Sequence, residues 1–162
     1  MLFRSCDTGA KYLSKMFSDW WMVDNGFLQR KTFGDLRDLI ARRHLDHEDY
    51  VLSPEMPVMQ AIKRMRMYGV SQLAVLDASD RVVGILDESD VLLALLKGGE
   101  GTRRPVSDFM TSRLETLPPS ASVNDLLPIF RADRVAIVAD DDRFYGIITR
   151  IDLINFLRKK MP

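Results

Sequence analysis

Cysteine is nearly missing from the sequence: Cys6 is the one thiol among 162 residues. A lone thiol closes no internal disulfide and has no second thiol at metal-site spacing, which fits a reducing, cytoplasmic compartment. Histidine is almost as scarce, with two copies. His44 and His47 stand beside Asp46, Glu48 and Asp49 in a polar stretch that offers no third committed ligand, so a solvated connection is expected there and no metal site. There is no surplus of either charge, because 23 Lys and Arg face 23 Asp and Glu. Without a global field, nucleic acid and anionic membrane surfaces are not expected as partners, and recognition has to be local. Long apolar runs are missing too. The longest, Val91 to Leu96, falls far short of the roughly 20 residues of a membrane span, and no charged-then-apolar leader opens the chain. What is present is ordinary for a folded chain: 46% hydrophobic and 28% charged residues, enough to bury a core.

The sequence repeats itself. Leu73 to Leu76 with Asp80 to Leu86 recurs as Val135 to Val138 with Asp142 to Ile148, at an offset of 62 residues that carries Gly84 onto Gly146 and Asp90 onto Asp152. Upstream the offset is 65, carrying Val58 onto Val123, so the second copy has a shorter helix-to-strand connection. Each copy reads as a helix, a short buried strand, an Asp-rich turn, a second strand with a Gly, and a helix. The helices are expected at Pro57 to Tyr68, Asp87 to Leu96, Ser122 to Arg131 and Thr149 to Lys160, with Pro128 kinking the third. A β-α-β-β-α unit leaves one apolar sheet face bare, so two copies should pack sheet to sheet about a pseudo-two-fold axis. The expected fold class is therefore α/β (α+β), preceded by an N-terminal helical segment. Residues 1–32 form that segment and a linker, 33–98 the first unit, 99–104 an exposed Gly- and charge-rich connection, and 105–162 the second unit.

Gly146-Ile147-Ile148-Thr149-Arg150-Ile151-Asp152-Leu153 resembles the CBS motif, in which a Gly and two apolar residues precede Ser or Thr, two residues and Asp. The resemblance runs from about Phe33 to Lys160. Within it, the stretch Gly146 to Phe156 and the short connection Ile129 to Ala136 look like the cystathionine β-synthase family of pyridoxal-phosphate enzymes. Ala10 to Phe27 resembles the last helix of that family's catalytic domain. Tyr12, Met16, Phe17 and Trp20 there form an apolar stripe suited to packing on the parent's own catalytic domain, on the repeats or on a second copy. The resemblance implies a parent that condenses serine and homocysteine with pyridoxal phosphate. It also implies that this segment is no enzyme, holds no cofactor or metal of its own, binds an adenosine-type ligand such as S-adenosylmethionine, AMP or ATP, and pairs as a homodimer.

The candidate ligand site is read as follows. Thr149 opens the last helix, where its hydroxyl and the free N–H groups of the first turn suit a ribose or phosphate, and the Asp152 carboxylate can accept from both ribose hydroxyls. Gly146 allows close approach, and Ile147, Ile151 and Tyr145 complete that side with apolar surface for a purine. The resemblance places Val70, Ser71 and Gln72 on the opposite wall, with Ser71 where relatives that bind S-adenosylmethionine carry Asp. A second, weaker site would use Asp87 and Asp90, where a carboxylate replaces the hydroxyl and repels phosphate. Thr-x-x-Asp is equally a helix-capping box, which keeps open a purely structural, oligomer-forming module that binds nothing.

Overall fold

A computed structural model describes residues 22, 27–47, 49–141 and 143–161. The stripe from Tyr12 to Trp20 and Cys6 lie outside them. The chain divides into two units, Met1–Phe33 and Gly34–Pro162, and both repeats belong to the second. Its strands are β1 (Val51–Leu52), β2 (Gln72–Leu76), β3 (Val82–Asp87), β4 (Thr116–Leu117), β5 (Ala136–Ala139) and β6 (Phe144–Ile148). Its helices are α1 (Val58–Tyr68), α2 (Glu88–Leu96), α3 (Gly98–Arg103), α4 (Val123–Arg131) and α5 (Arg150–Lys160). Each repeat builds a three-stranded sheet, β1-β2-β3 or β4-β5-β6, whose first pair is parallel and second antiparallel. Ala74, Leu76, Ile137, Ala139 and Phe144 fill the space between the two sheets, so the mixed α/β fold of two facing units is as the repeat requires.

Local chemistry sets the element ends. On α1, Val58, Ala61 and Met65 share one buried face, and Gly69 stops the helix at φ 62°, its N–H donating to the Met65 carbonyl. The β2–β3 turn is held by the Asp77 carboxylate, which accepts from the N–H groups of Ser79 at 2.8 Å and Arg81 at 3.0 Å. Pro128 does not end α4, which continues to Arg131. Its ring lies on the exposed side, where the Asn124 carbonyl that loses a partner can turn to water, while buried Leu126, Ile129 and Phe130 anchor the other face.

The connection between the repeats departs from expectation. Residues 98–103 form the short helix α3, and Gly101 and Thr102 are buried. A methyl at Gly101 would overlap the Ala94 carbonyl oxygen of α2, so the glycines here permit close packing of two helices where the sequence suggested an open linker.

The two repeats also exchange segments. Leu36, Leu39 and Ile40, which precede the first sheet, join the core of the second repeat with Leu126, Phe130, Val138 and Ile148. The Leu36 N–H donates to the Pro119 carbonyl at 3.1 Å. Conversely Val106, which follows α3, is fully buried in the core of the first repeat, and Ile85 and Thr111 exchange hydrogen bonds of 3.0 and 2.9 Å beside β3. Each buried aliphatic side chain in these crossing segments contributes about 2 kcal/mol.

Candidate ligand site

The crossing segments land on the two hallmark glycines. Gly146, midway along the edge strand β6, pairs with Val138 and has φ 148°. A Cβ there would come within 2.5 Å of the Ile40 side chain and 3.2 Å of the Arg42 carbonyl oxygen. Gly84, paired with Val75, is crossed in the same way by Met110. The close approach expected at Gly146 is made by the chain's own Ile40–Arg42 segment.

The stretch around His44 is also more ordered than a solvated connection. Arg43 is 5% exposed, and its guanidinium donates to Asp38 at 3.1 Å and to the Arg37 carbonyl at 3.0 Å. Burial pulls its pKa down, with Asp38 opposing. His44 Nδ1 lies 3.0 Å from the Asp49 carboxylate, and its ring meets Phe144 at a centroid distance of 5.2 Å. Burial raises the pKa of Asp49, and the nearby His44 holds it back. No group of metal-binding residues occurs among the described residues.

Just past β6, Thr149 is the N-cap of α5. Asp152 Oδ2 accepts from the Thr149 N–H at 2.7 Å and from its hydroxyl at 2.6 Å. The two expected ligand groups are thus brought together but bonded to each other. Both bonds fall on one carboxylate oxygen, Oδ2. The same arrangement occurs at Ser122, whose N–H and hydroxyl donate to Asp125 at 2.8 and 2.9 Å. It recurs in part at the first repeat, where Asp87 N–H donates to Asp90 at 3.1 Å and Asp90 N–H to Asp87 at 3.0 Å. Burial, the dominant cause, raises the pKa of Asp90.

Around Thr149, Ile151 is 58% exposed while Ile147 and Tyr145 are half-buried. The Tyr145 hydroxyl donates to Asp140 at 2.7 Å, a bond that raises its pKa, and the Arg37 guanidinium lies over its ring at 5.8 Å. Arg150 is tied to the Phe130 carbonyl and the Asp133 carboxylate, which fixes the start of α5 against the α4–β5 turn.

Val70 and Ser71 lie in the connection between α1 and β2. They line a cavity of about 400 Å³ with Ile62, Met65 and Arg66 of α1 and Glu88 and Val91 of α2, and its described lining comes entirely from the first repeat. Gln72 begins β2 opposite Asp87. The loop before β2 is steadied by Tyr68, stacked on Tyr50 at 3.4 Å with Arg42 over the outer ring at 5.2 Å. Arg66 and Glu88 escaped the sequence reading because each is an unremarkable charged position on an amphipathic helix. A second cleft, of about 600 Å³, lies between the two hairpin turns, lined by Asp77, Arg81, Thr116, Asp140, Asp141 and Arg143 among others. It holds none of the expected site residues.

The CBS-domain family model matches residues 36–97 and again 106–159. The chain belongs to the CBS-domain family. CBS pairs are regulatory ligand-binding modules, and this chain carries one. Curated relatives include cystathionine beta-synthase of Dictyostelium discoideum, 27% identical across 94% of this chain and 33% of that protein. Inosine-5'-monophosphate dehydrogenase of Methanocaldococcus jannaschii is 33% identical across 68% of this chain and 22% of its own length. The CBS chain thus spans a minor part of these two relatives. Among solved structures, CBSX2 in complex with AMP matches with a TM-score of 0.68 at 20% identity, covering 77% of this chain and 96% of that one. The AcuB protein of Vibrio cholerae matches at 0.67 and 18% identity, covering 79% and 93%. Both support the same fold. No helix among the described residues is long and apolar enough to cross a membrane.

Proposed function

We propose that this CBS pair is the regulatory module of a cystathionine β-synthase and senses an adenosine-type ligand: S-adenosylmethionine, AMP or ATP. The observation that carries the parentage is coverage. Relatives named cystathionine beta-synthase, from Dictyostelium discoideum and Oryctolagus cuniculus, align with 94% and 95% of the chain, including residues ahead of the repeats. The dehydrogenase of Methanocaldococcus jannaschii aligns with 68%. On this reading pyridoxal phosphate and the condensation of serine with homocysteine belong to the parent's catalytic domain, which is also this module's partner. The ligand would meet Asp152 Oδ1 and the first-turn N–H groups of α5, with Ile147, Ile151 and Tyr145 beside it. Gly146 supports that corner by admitting Ile40, and Val70, Ser71 and Gln72 supply the opposing wall. Asp87 and Asp90, committed to each other, form at most a weak second site.

Calorimetric titration with the three adenosine compounds is the test. One of them should bind, and Asp152→Ala should weaken it about tenfold, since a hydrogen bond to a charged group is worth about 1.5–3 kcal/mol. Circular dichroism of the variant checks that loss of the cap has not unfolded it. The inward turn of Asp152 favours a second reading, a structural CBS pair that binds no ligand, and silence from all three compounds would establish it.

The same module is proposed to pair with a second copy. The offset of 62 places Leu92 and Leu95 of α2 in the positions of Ile154 and Leu157 of α5, and all four are exposed, at 56%, 48%, 57% and 45%. Two related helices presenting matching apolar side chains suit a symmetric, self-complementary contact. Sedimentation equilibrium should give twice the chain mass, and Leu92→Glu with Ile154→Glu should return the monomer. A wild-type monomer at high concentration would refute the pairing.

A further inference from the structure

The segment that crosses over Gly146 is locked onto the second repeat on both sides of Arg42. Ile40 is buried in that repeat's core, and the His44 ring packs against Phe144 of β6. Between them the Arg42 carbonyl oxygen lies 3.2 Å from the point that a Cβ on Gly146 would occupy. The Arg42 guanidinium reaches the other way. It lies over the Tyr50 ring at 5.2 Å, just ahead of β1, and Tyr50 is stacked in turn on Tyr68, the last residue of α1, at 3.4 Å and 5°. One residue thus meets the glycine strand of the second repeat with its backbone and an aromatic pair of the first with its side chain.

Two tyrosines left to themselves do not choose this arrangement. Rings set face to face oppose their negative π faces, which favours offset or edge-on pairs. A guanidinium over the outer face of Tyr50 draws electron density away from Tyr68 and offsets that repulsion. What the stack holds is the end of α1. Arg64 donates to the Val51 carbonyl and fixes the middle of the helix within the first repeat, while the stack carries its end across to the second. Beyond Tyr68, the N–H groups of Gly69 and Val70 both donate to the Met65 carbonyl, and the Ser71 side chain takes part in no hydrogen bond among the described residues. The path of the α1–β2 connection therefore follows the helix end. We propose that Arg42 is a positioning residue: through Tyr50 and Tyr68 it sets the α1–β2 connection of the first repeat from the Gly146 corner of the second. The proposal rests on the adenosine reading only in taking that connection as a ligand wall. Arg42 would then govern affinity without touching the ligand.

Amide hydrogen exchange on the full chain, read residue by residue, tests it. Arg42→Gln and Tyr68→Leu should each speed exchange at Gly69 and Val70 at least about threefold, the order expected when a cation–π or aromatic contact is lost. Tyr68→Phe, which keeps the ring, should match the wild type. The amides of β5 should be unchanged in all three, because a rise there would report a general loss of stability. In parallel, calorimetry with whichever of S-adenosylmethionine, AMP and ATP binds the wild type should show affinity weakened by a similar factor in Arg42→Gln and Tyr68→Leu and recovered in Tyr68→Phe. Unchanged exchange at Gly69 and Val70 in both variants, or an equal rise in β5, would overturn the proposal, as would full affinity in Arg42→Gln for a compound that binds the wild type. If none of the three compounds binds, the adenosine reading fails and the exchange pattern alone decides the role of Arg42.

Discussion

Gly84 and Gly146 hold equivalent places in the two sheets, yet they should respond differently to the same substitution. At Gly146 an added methyl meets Ile40, itself locked in the second core, and the backbone φ of 148° is strained for any other residue. At Gly84 the obstacle is chiefly the flexible end of half-buried Met110, and φ is not positive. Gly146→Ala should therefore cost about 2–3 kcal/mol and Gly84→Ala about 1 kcal/mol, measured by urea unfolding. Equal losses would mean that the sheets, and not the crossing segments, set the tolerance. The need for glycine at both positions was legible from the repeat. Its reason was not, because the atoms that crowd each glycine come from the far side of the chain and share no local pattern with it. Thr149 and Asp152 show the same limit, since their spacing specifies a helix cap and a ligand grip equally well, and only the geometry reveals the hydroxyl and carboxylate bonded to each other.

At the level of helices and strands the sequence was informative wherever apolar spacing and caps agreed. Strands β2, β3, β5 and β6 and helices α1, α2, α4 and α5 lie within a residue or so of their expected bounds. The misses share one physical origin. Gly98 to Arg103 looked like an exposed connection by composition, but a glycine that admits a neighbouring carbonyl can close-pack a helix as readily as loosen a loop. Pro128 stands inside α4 as expected, on its exposed side, where the loss of a donor is inexpensive. Arg43 and His44 looked solvated because they are polar, while their partners Asp38 and Asp49 allow Arg43 to be buried and His44 half-buried. Each of these depends on what an element packs against, which local periodicity does not encode.

For the whole molecule, the pseudo-two-fold pairing followed from the offset of 62, whereas the exchange of Leu36–Ile40 and Val106–Met110 between the repeats did not. That exchange makes the two units mutually dependent. Fragments 34–97 and 98–162, expressed separately, should each be unfolded by circular dichroism, and mixing them should restore the secondary structure of the intact chain. Independent folding of either fragment would contradict this. The crossing also bears on synthesis. Because the first repeat lacks part of its core until Met110 is made, a nascent chain leaving the ribosome cannot close its first half before the opening segment of the second has followed it out. A product stalled ahead of Val106 would therefore expose an unfinished hydrophobic interior to the cell's proteases.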